Sequence, residues 1–360
     1  MKQAWLLGLS LVVACAQRGP PDAGIDAATE SPRDAATDSA STDAGDPLGR
    51  FTPPANWLDG GGRASVLDVW ESDLAAYGPC YVTAAGRLFF ASPSVAVPGL
   101  LRMVLASPGG VAPVGDEYVI AKIVLADESF TWCGSEPPGG PIRCKRYLND
   151  GGTLIAPSAV FDLDTWTASG FISGLIRNGR DLRRVGAVWA PDGGYWQVPE
   201  TSTLMSESGL GTGQLQLPDG GRFAFLWDDG RQIPLGTSIP EYSSWGAAVN
   251  SRGLVVGQRF AGGNKMAVFW GRETATGRPG ELIAVNERGL AVGQERWRAE
   301  SAALWYRGAY WRLDELTDAG VGCRYTGSSS VNDRDQIAAI RECPQTFFRR
   351  CALIQLRVSD

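Results

Sequence analysis

Histidine is absent from all 360 residues. Without it the Ser-His-Asp and Cys-His nucleophile arrangements cannot be built, nor the zinc sites that need imidazole. Basic charge is also short: 33 Lys and Arg face 39 Asp and Glu, for a formal net charge of −6 at pH 7. Such a chain lacks the positive field that phosphate binding requires, so no nucleic-acid partner is expected. Long apolar runs are missing too, and the most apolar stretch, Ala4 to Val13, is too short to span a bilayer as a helix. No stretch reads as a catalytic motif, and neither a cofactor nor a metal is expected.

What the chain does hold is an internal repeat. Ala248-Val249-Asn250-Ser251-Arg252-Gly253-Leu254-Val255-Val256-Gly257-Gln258 returns 36 residues later as Ala284-Val285-Asn286-Glu287-Arg288-Gly289-Leu290-Ala291-Val292-Gly293-Gln294. Each copy leads to a short apolar run ending in Trp, Ala267-Val268-Phe269-Trp270 and Ala302-Ala303-Leu304-Trp305. Asn-x-x-Gly is the pattern of a type I turn: Asn bonds its own backbone, and Gly takes positive φ without steric cost. The β-branched run after it has strand composition, and its Val-Gly end admits close approach of another backbone. The distance to the Trp run leaves room for a hairpin loop and a second strand.

Weaker copies flank these two. Ser206 to Gly209 leads to Phe223-Ala224-Phe225-Leu226-Trp227, Thr167 to Gly170 leads to Ala187-Val188-Trp189, and Asn332 to Asp335 leads to Cys351-Ala352-Leu353-Ile354, with Asp335 in place of Gly. Thr83 to Gly86 with Leu101 to Leu105 gives another copy, and residues 118 to 155 fit as one more that lacks its opening turn. Five clear units and two weaker ones, spaced by roughly 36 to 46 residues, point to an all-β propeller of seven blades of short antiparallel strands. Blades that cannot bury both faces alone do so by stacking around a ring. The rival architecture is an open β-solenoid. Ala64 to Trp70 reads as a strand that completes the last blade, or as an irregular lead-in.

The chain reads as three segments: a signal over residues 1–14, a tether over 15–50, and the repeat domain over 51–360. Val12-Val13-Ala14-Cys15 resembles the bacterial lipobox, and that resemblance implies cleavage before Cys15, lipid on its thiol and new amino group, and attachment to a membrane. The alternative is an ordinary secretory signal with an incidental Cys. Ala16 after the Cys, in place of Asp, points in the enterobacterial scheme to the outer membrane. The tether holds seven acids and a single large aliphatic residue, Ile25, between residues 16 and 46, too little apolar surface to repay ordering. Its Asp-Ala-Gly and Asp-Ala-Ala steps resemble the acidic spacers of Gram-negative surface lipoproteins.

Removing Cys15 leaves six cysteines, an even number in an exported chain, as disulfides require. Alignment of the repeats places Cys133 with Cys144 and Cys343 with Cys351 at hairpin loops, where each pair would make a local staple. Cys80 and Cys323 are left, in what would be the first and last units, and a bridge between them would lock a ring. The alternative is that one or both stay unpaired.

Thirteen tryptophans invite a carbohydrate-binding reading. Trp189, Trp227, Trp270 and Trp305 recur at one place in the unit and are expected in the core, whereas Trp57, Trp132, Trp245 and Trp297 do not recur and are candidates for the surface. Arg252 and Arg288 recur inside the turns. Asp116-Glu117, Asp228-Asp229 and Asp333 with Asp335 sit in turn contexts and read first as turn formers.

The unit of Val-Asn-x-x-Gly-x-Val-Val-Gly followed by Ala-Phe-Leu-Trp and a Gly turn resembles the HAF-type extracellular repeats of bacterial secreted proteins. That resemblance covers residues 160 to 356 well and 80 to 156 loosely, and it implies propeller blades. The family's His-Ala-Phe step has lost its His, with Arg222-Phe223 or Lys265-Met266 standing there. The family carries over no catalytic residue. The functional expectation is a non-catalytic platform at the cell surface that binds a protein or a glycan. The alternative is a carbohydrate-active enzyme with two carboxylates at the central channel.

Overall fold

The structure is a computed structural model that describes residues 62–93, 101–114, 123–124, 130–135, 142–148, 153–157, 160–178, 183–198, 203–216, 221–235, 243–261, 264–270, 274–295, 301–344 and 349–359. Residues 1–14 and 15–50, Cys15 among them, lie outside the described residues, as do Trp57, Asp116, Glu117, Trp297 and the side chains of Trp132 and Trp270.

β-Branched and aromatic runs separated by Gly, Asp and Pro turns give short antiparallel strands and, among the described residues, one helical turn, Leu313–Leu316. The strands form three four-stranded sheets and two seven-stranded ones. Each seven-stranded sheet is two blades that share one long strand. Arg63–Val82 pairs with Arg349–Ser359 over residues 63–76 and with Leu88–Pro93 over residues 77–82. Thr274–Val285 pairs with Asn264–Trp270 up to Pro279 and with Ala291–Glu295 from Gly280 onward. Pro79 and Pro279 stand near the two changes of partner, where a residue without an N–H does least harm to a ladder.

Seven four-stranded blades result. In chain order they are blade 1 (residues 77–114), blade 2 (123–155), blade 3 (160–198), blade 4 (203–234), blade 5 (243–279), blade 6 (280–312) and blade 7 (324–359, with 63–76 as its fourth strand). The strand expected over Ala64 to Trp70 thus completes the last blade. First and last strands of the domain lie side by side, which an open solenoid would not give.

Blades stack by packing the first strand of one against middle strands of the one before, as Ser243–Val249 does on Gly211–Gln216 and Arg222–Asp228. Third strands are therefore covered on both faces: Ser301–Tyr306 is buried throughout, and Arg222–Asp228 nearly so. That explains why these strands read as unbroken apolar runs and not as alternating ones. Leu290, Val292 and Leu304 of blade 6 meet Ile337, Ile354 and Leu356 of blade 7. Leu88, Phe90 and Val104 of blade 1 meet Ala338 and Leu353 of blade 7 in the same way. The seam where the ends of the domain join is packed like any other interface.

Two expectations are corrected. The turn does not open the blade; it joins the blade's first strand to its second. First strands escape a pattern search because they are short, as in Thr203–Met205, or carry a register shift, as between Gly246 and Ala248. The second correction concerns disulfides. Cys133 and Cys144 are directly opposed on neighbouring strands and bonded, with Cα atoms 4.0 Å apart, as expected. Cys80, however, is bonded to Cys351 and not to Cys323, and Cys323 is bonded to Cys343, so the expected Cys343–Cys351 staple is absent. Cys323 and Cys343 sit one step beyond the Arg324–Glu342 pair, so their bridge extends the ladder of the first two strands of blade 7. Cys351 lies within the third strand, fully buried against blade 1, where it reaches Cys80. Position along the repeat does not reveal which face of a strand a cysteine occupies.

Candidate ligand-binding cleft

Six described turns between first and second strands are built alike, those beginning at Thr83, Thr167, Ser206, Asn250, Asn286 and Asn332. In each, the carbonyl of the first residue accepts the N–H of the fourth at 3.0 to 3.1 Å. Where the first residue is Asn, its Oδ1 also caps the turn: Asn286 accepts the N–H groups of Arg288 (3.1 Å) and Leu290 (2.9 Å). The amide nitrogen is then free to reach the next blade. Asn250 donates to the carbonyl of Asn286 (3.0 Å), Asn286 to that of Asn332 (2.9 Å), and Asn332 to that of Thr83 (2.8 Å). This belt ties blades 5, 6, 7 and 1 together, and in blade 2 the buried Arg146 donates to the carbonyl of Thr167 (2.7 Å) in the same sense.

Blades 3 and 4 hold Thr167 and Ser206 at the Asn position. Their hydroxyls turn back on their own turns: Thr167 Oγ1 accepts the Phe171 N–H (2.9 Å), and Ser206 Oγ donates to the Leu210 carbonyl (3.1 Å). The link from blade 3 to blade 4 passes instead through Glu207, whose carboxylate accepts the N–H groups of Ala168 (2.9 Å) and Ser169 (2.8 Å).

Between these two blades the surface opens into a cleft of about 370 Å³. Trp196, on the fourth strand of blade 3, stands edge-on to the buried Trp227 of blade 4, with ring centroids 5.3 Å apart and planes at 77°. Phe171 lies over Gly209, and Trp196 lies against Gly230; a Cβ at Gly230 would come within 2.5 Å of Trp196 Nε1, and one at Gly209 would overlap the Phe171 ring. Both glycines also have positive φ, 84° and 82°, so the turns of blade 4 need glycine here twice over. Asp192 comes from the hairpin of blade 3 and is exposed, its Oδ1 held by the Gly194 N–H at 3.0 Å. Asp228 and Asp229 come from the hairpin of blade 4; Asp229 is exposed, and Asp228 stands opposite Arg231 across the turn. None of the described residues that line the cleft is basic.

The Asp228-Asp229 pair singled out in the sequence therefore forms a turn and also borders the cleft. Asp333 and Asp335 belong to the belt: Asp333 accepts the Glu287 N–H (2.9 Å), and Asp335 accepts the Asn286 amide (3.1 Å) and pairs with Arg288. Arg252 is exposed on its turn. Trp227 and Trp305 are core residues as expected, Trp189 is half-buried against Tyr195, and Trp245 is 40% exposed on the first strand of blade 5. Phe171, Asp192 and Trp196 do not stand out in the sequence. Their one signal is that Phe171 fills a place where the next three blades have Leu210, Leu254 and Leu290. Among the described residues no group of three or more Cys, Asp or Glu side chains gathers as metal ligands do.

Neither a scan against protein-family models nor a search of curated proteins returns a match. Among solved structures the chain is similar to the β-propeller domain of the Trilobed protease from Pyrococcus furiosus, with 8% identity and a TM-score of 0.57 over 80% of this chain and 99% of that one. The fold is that of a β-propeller. Similarity extends to acylaminoacyl peptidase from Pyrococcus horikoshii (9% identity, TM-score 0.55, 84% of this chain and 53% of that one). It extends also to an acylaminoacyl peptidase in complex with Z-Gly-Gly-Phe-chloromethyl ketone (11%, 0.56, 80% and 52%). The propeller chain thus spans about half the length of these two peptidases, and identities this low speak to fold alone. The Trilobed protease propeller is described as having an open Velcro topology; here residues 63–76 pair with the last strand of the domain.

Proposed function

We propose that this propeller is a non-catalytic binding platform of the bacterial cell envelope and that it takes a glycan in the cleft between blades 3 and 4. The observation that carries this reading is the meeting of Phe171 and Trp196 with Asp192 and Asp229 in one cleft of about 370 Å³. Aromatic faces suit the apolar C–H faces of a sugar ring, carboxylates accept from its hydroxyls, and the volume lies in the range of small-ligand sites. A panel of immobilised glycans probed with the whole exported protein tests it. Phe171→Leu, which restores the side chain of blades 4 to 6, is expected to keep the fold and weaken binding about tenfold, and Trp196→Ala to weaken it at least as much. A protein that retains no glycan, or whose retention is unchanged by both substitutions, would overturn the reading.

The same proposal includes HAF-type repeats and a lipid anchor at Cys15, which would hold the domain at the outer membrane or cell surface on its acidic tether. Support comes from the Val12-Val13-Ala14-Cys15 pattern. A mature chain beginning at an acylated Cys15 bears it out, and an unmodified thiol there sinks it. The alternative of a carbohydrate-active enzyme, expected from the sequence at the central channel, is proposed here at the cleft instead, because carboxylates from two blades line it beside aromatic rings. Release of new reducing ends from a bound glycan, lost in Asp192→Asn, would replace the non-catalytic reading with the enzymatic one.

A further inference from the structure

The described lining of the cleft holds carboxylates and no basic side chain. Several backbone N–H groups in and beside its wall are already committed: those of Ala168 and Ser169 go to the Glu207 carboxylate, Phe171 to Thr167 Oγ1, Gly194 to Asp192 and Gly209 to the Ser206 carbonyl. The Gly193 N–H goes to the Ala190 carbonyl, and Ser208 Oγ is engaged with Ser206 Oγ. The indole N–H of Trp196 faces Gly230. What the cleft presents outward is the exposed carboxylates of Asp192 and Asp229, one from each blade, and the faces of Trp196 and Phe171. Asp228 has Arg231 opposite it in register and is left out of the count.

From this arrangement we infer that the ligand group recognised in the cleft is an ammonium, carried by a glycan as an amino sugar whose amine is not acetylated. The inference rests on the glycan reading above. A protonated amine has donors and no acceptor, which suits a site whose described lining offers two exposed carboxylates and no basic side chain. It is attracted by two carboxylates and by the aromatic faces together. A uronate or phosphorylated sugar meets only like charge here. A neutral sugar gains the stacking but not the charge.

The test is calorimetric titration of the whole exported protein with the disaccharide of glucosamine, with its di-N-acetylated counterpart, and with Nα-acetyl-lysine amide. The free-amine disaccharide is expected to bind about tenfold tighter than the acetylated one at low salt. That preference should shrink when ionic strength rises towards ~1 M, where the Debye length is about 3 Å. The Asp192→Asn/Asp229→Asn variant should lose the preference while keeping its melting temperature; Asn preserves the acceptor to Gly194 and tolerates the positive φ of 45° at position 229. Equal or tighter binding of the acetylated disaccharide overturns the ammonium inference and leaves the glycan cleft standing. Lysine amide binding as tightly as the amino sugar keeps the ammonium and overturns the glycan. Binding of none of the three overturns the inference outright, and the glycan panel then decides the broader reading.

Discussion

Asp335 stands where the other five described turns have Gly86, Gly170, Gly209, Gly253 and Gly289, and it takes φ of 58° there. Its carboxylate is buried between blades 6 and 7, bonded to Asn286 and Arg288. Burial pushes its carboxyl above the ordinary value, with Arg288 and the hydrogen bonds pulling it back. The folded protein therefore holds this proton more tightly than the unfolded chain does. The resulting stability is fully present below the unfolded value of about 3.9 and is lost as pH rises through the folded one. Asp335→Asn removes that dependence, so wild type is expected to lose stability relative to the variant as pH rises from about 4 towards neutrality. Paired melting curves across that interval check it, and a wild type that gains on the variant would refute it. The substitution of Gly by an αL-tolerant residue is plain in the sequence. The burial is not, because Asn286 and Arg288 lie 49 and 47 residues away and meet it only through blade stacking.

The turn is the element that repeats, and its chemistry shows how local and distant information divide. Asn286 makes two bonds within its turn and two to the next blade, at Asn332 and Asp335. Asn286→Ala leaves a buried N–H and a buried carbonyl without partners, at a cost of roughly 2–4 kcal/mol. Asn286→Ser, which copies the residue blade 4 has at Ser206, keeps a hydroxyl for the turn and should cost about half as much; chemical denaturation of both variants compares them. Equal losses would show that the belt, and not the turn, carries the energy. Asn-x-x-Gly and the following strand were legible because a turn is written in four adjacent residues. First strands are not, so the sequence repeat runs one strand out of phase with the blade. The cleft was only half legible: Asp228 and Asp229 sat in a visible turn, but Phe171, Asp192 and Trp196 acquire their role from Gly209 and Gly230 of the next blade, which no period of the repeat relates to them.

At the scale of the whole molecule, the ring holds its cleft rigid because its two ends share blade 7. Three devices close the seam: pairing of residues 63–76 with the last strand, the apolar contact of Leu88, Phe90 and Val104 with Ala338 and Leu353, and the Cys80–Cys351 bridge. By chain entropy, a bridge across 271 residues contributes about 6 kcal/mol against about 3 for the 11-residue Cys133–Cys144 loop. Cys80→Ser is accordingly expected to lower the melting temperature more than Cys133→Ser does. The even cysteine count and the repeat order point to a bridge from Cys80 to Cys323, which the Cys80–Cys351 bond overturns; the right partner depends on which face of a strand looks at the next blade. Non-reducing peptide mass spectrometry of the purified protein reads this seam most directly. A closed seven-bladed ring predicts one peptide pair joining Cys80 to Cys351, with Cys323 joined to Cys343 and Cys133 to Cys144. Cys80 found free, or joined to any cysteine outside the third strand of blade 7, would contradict it.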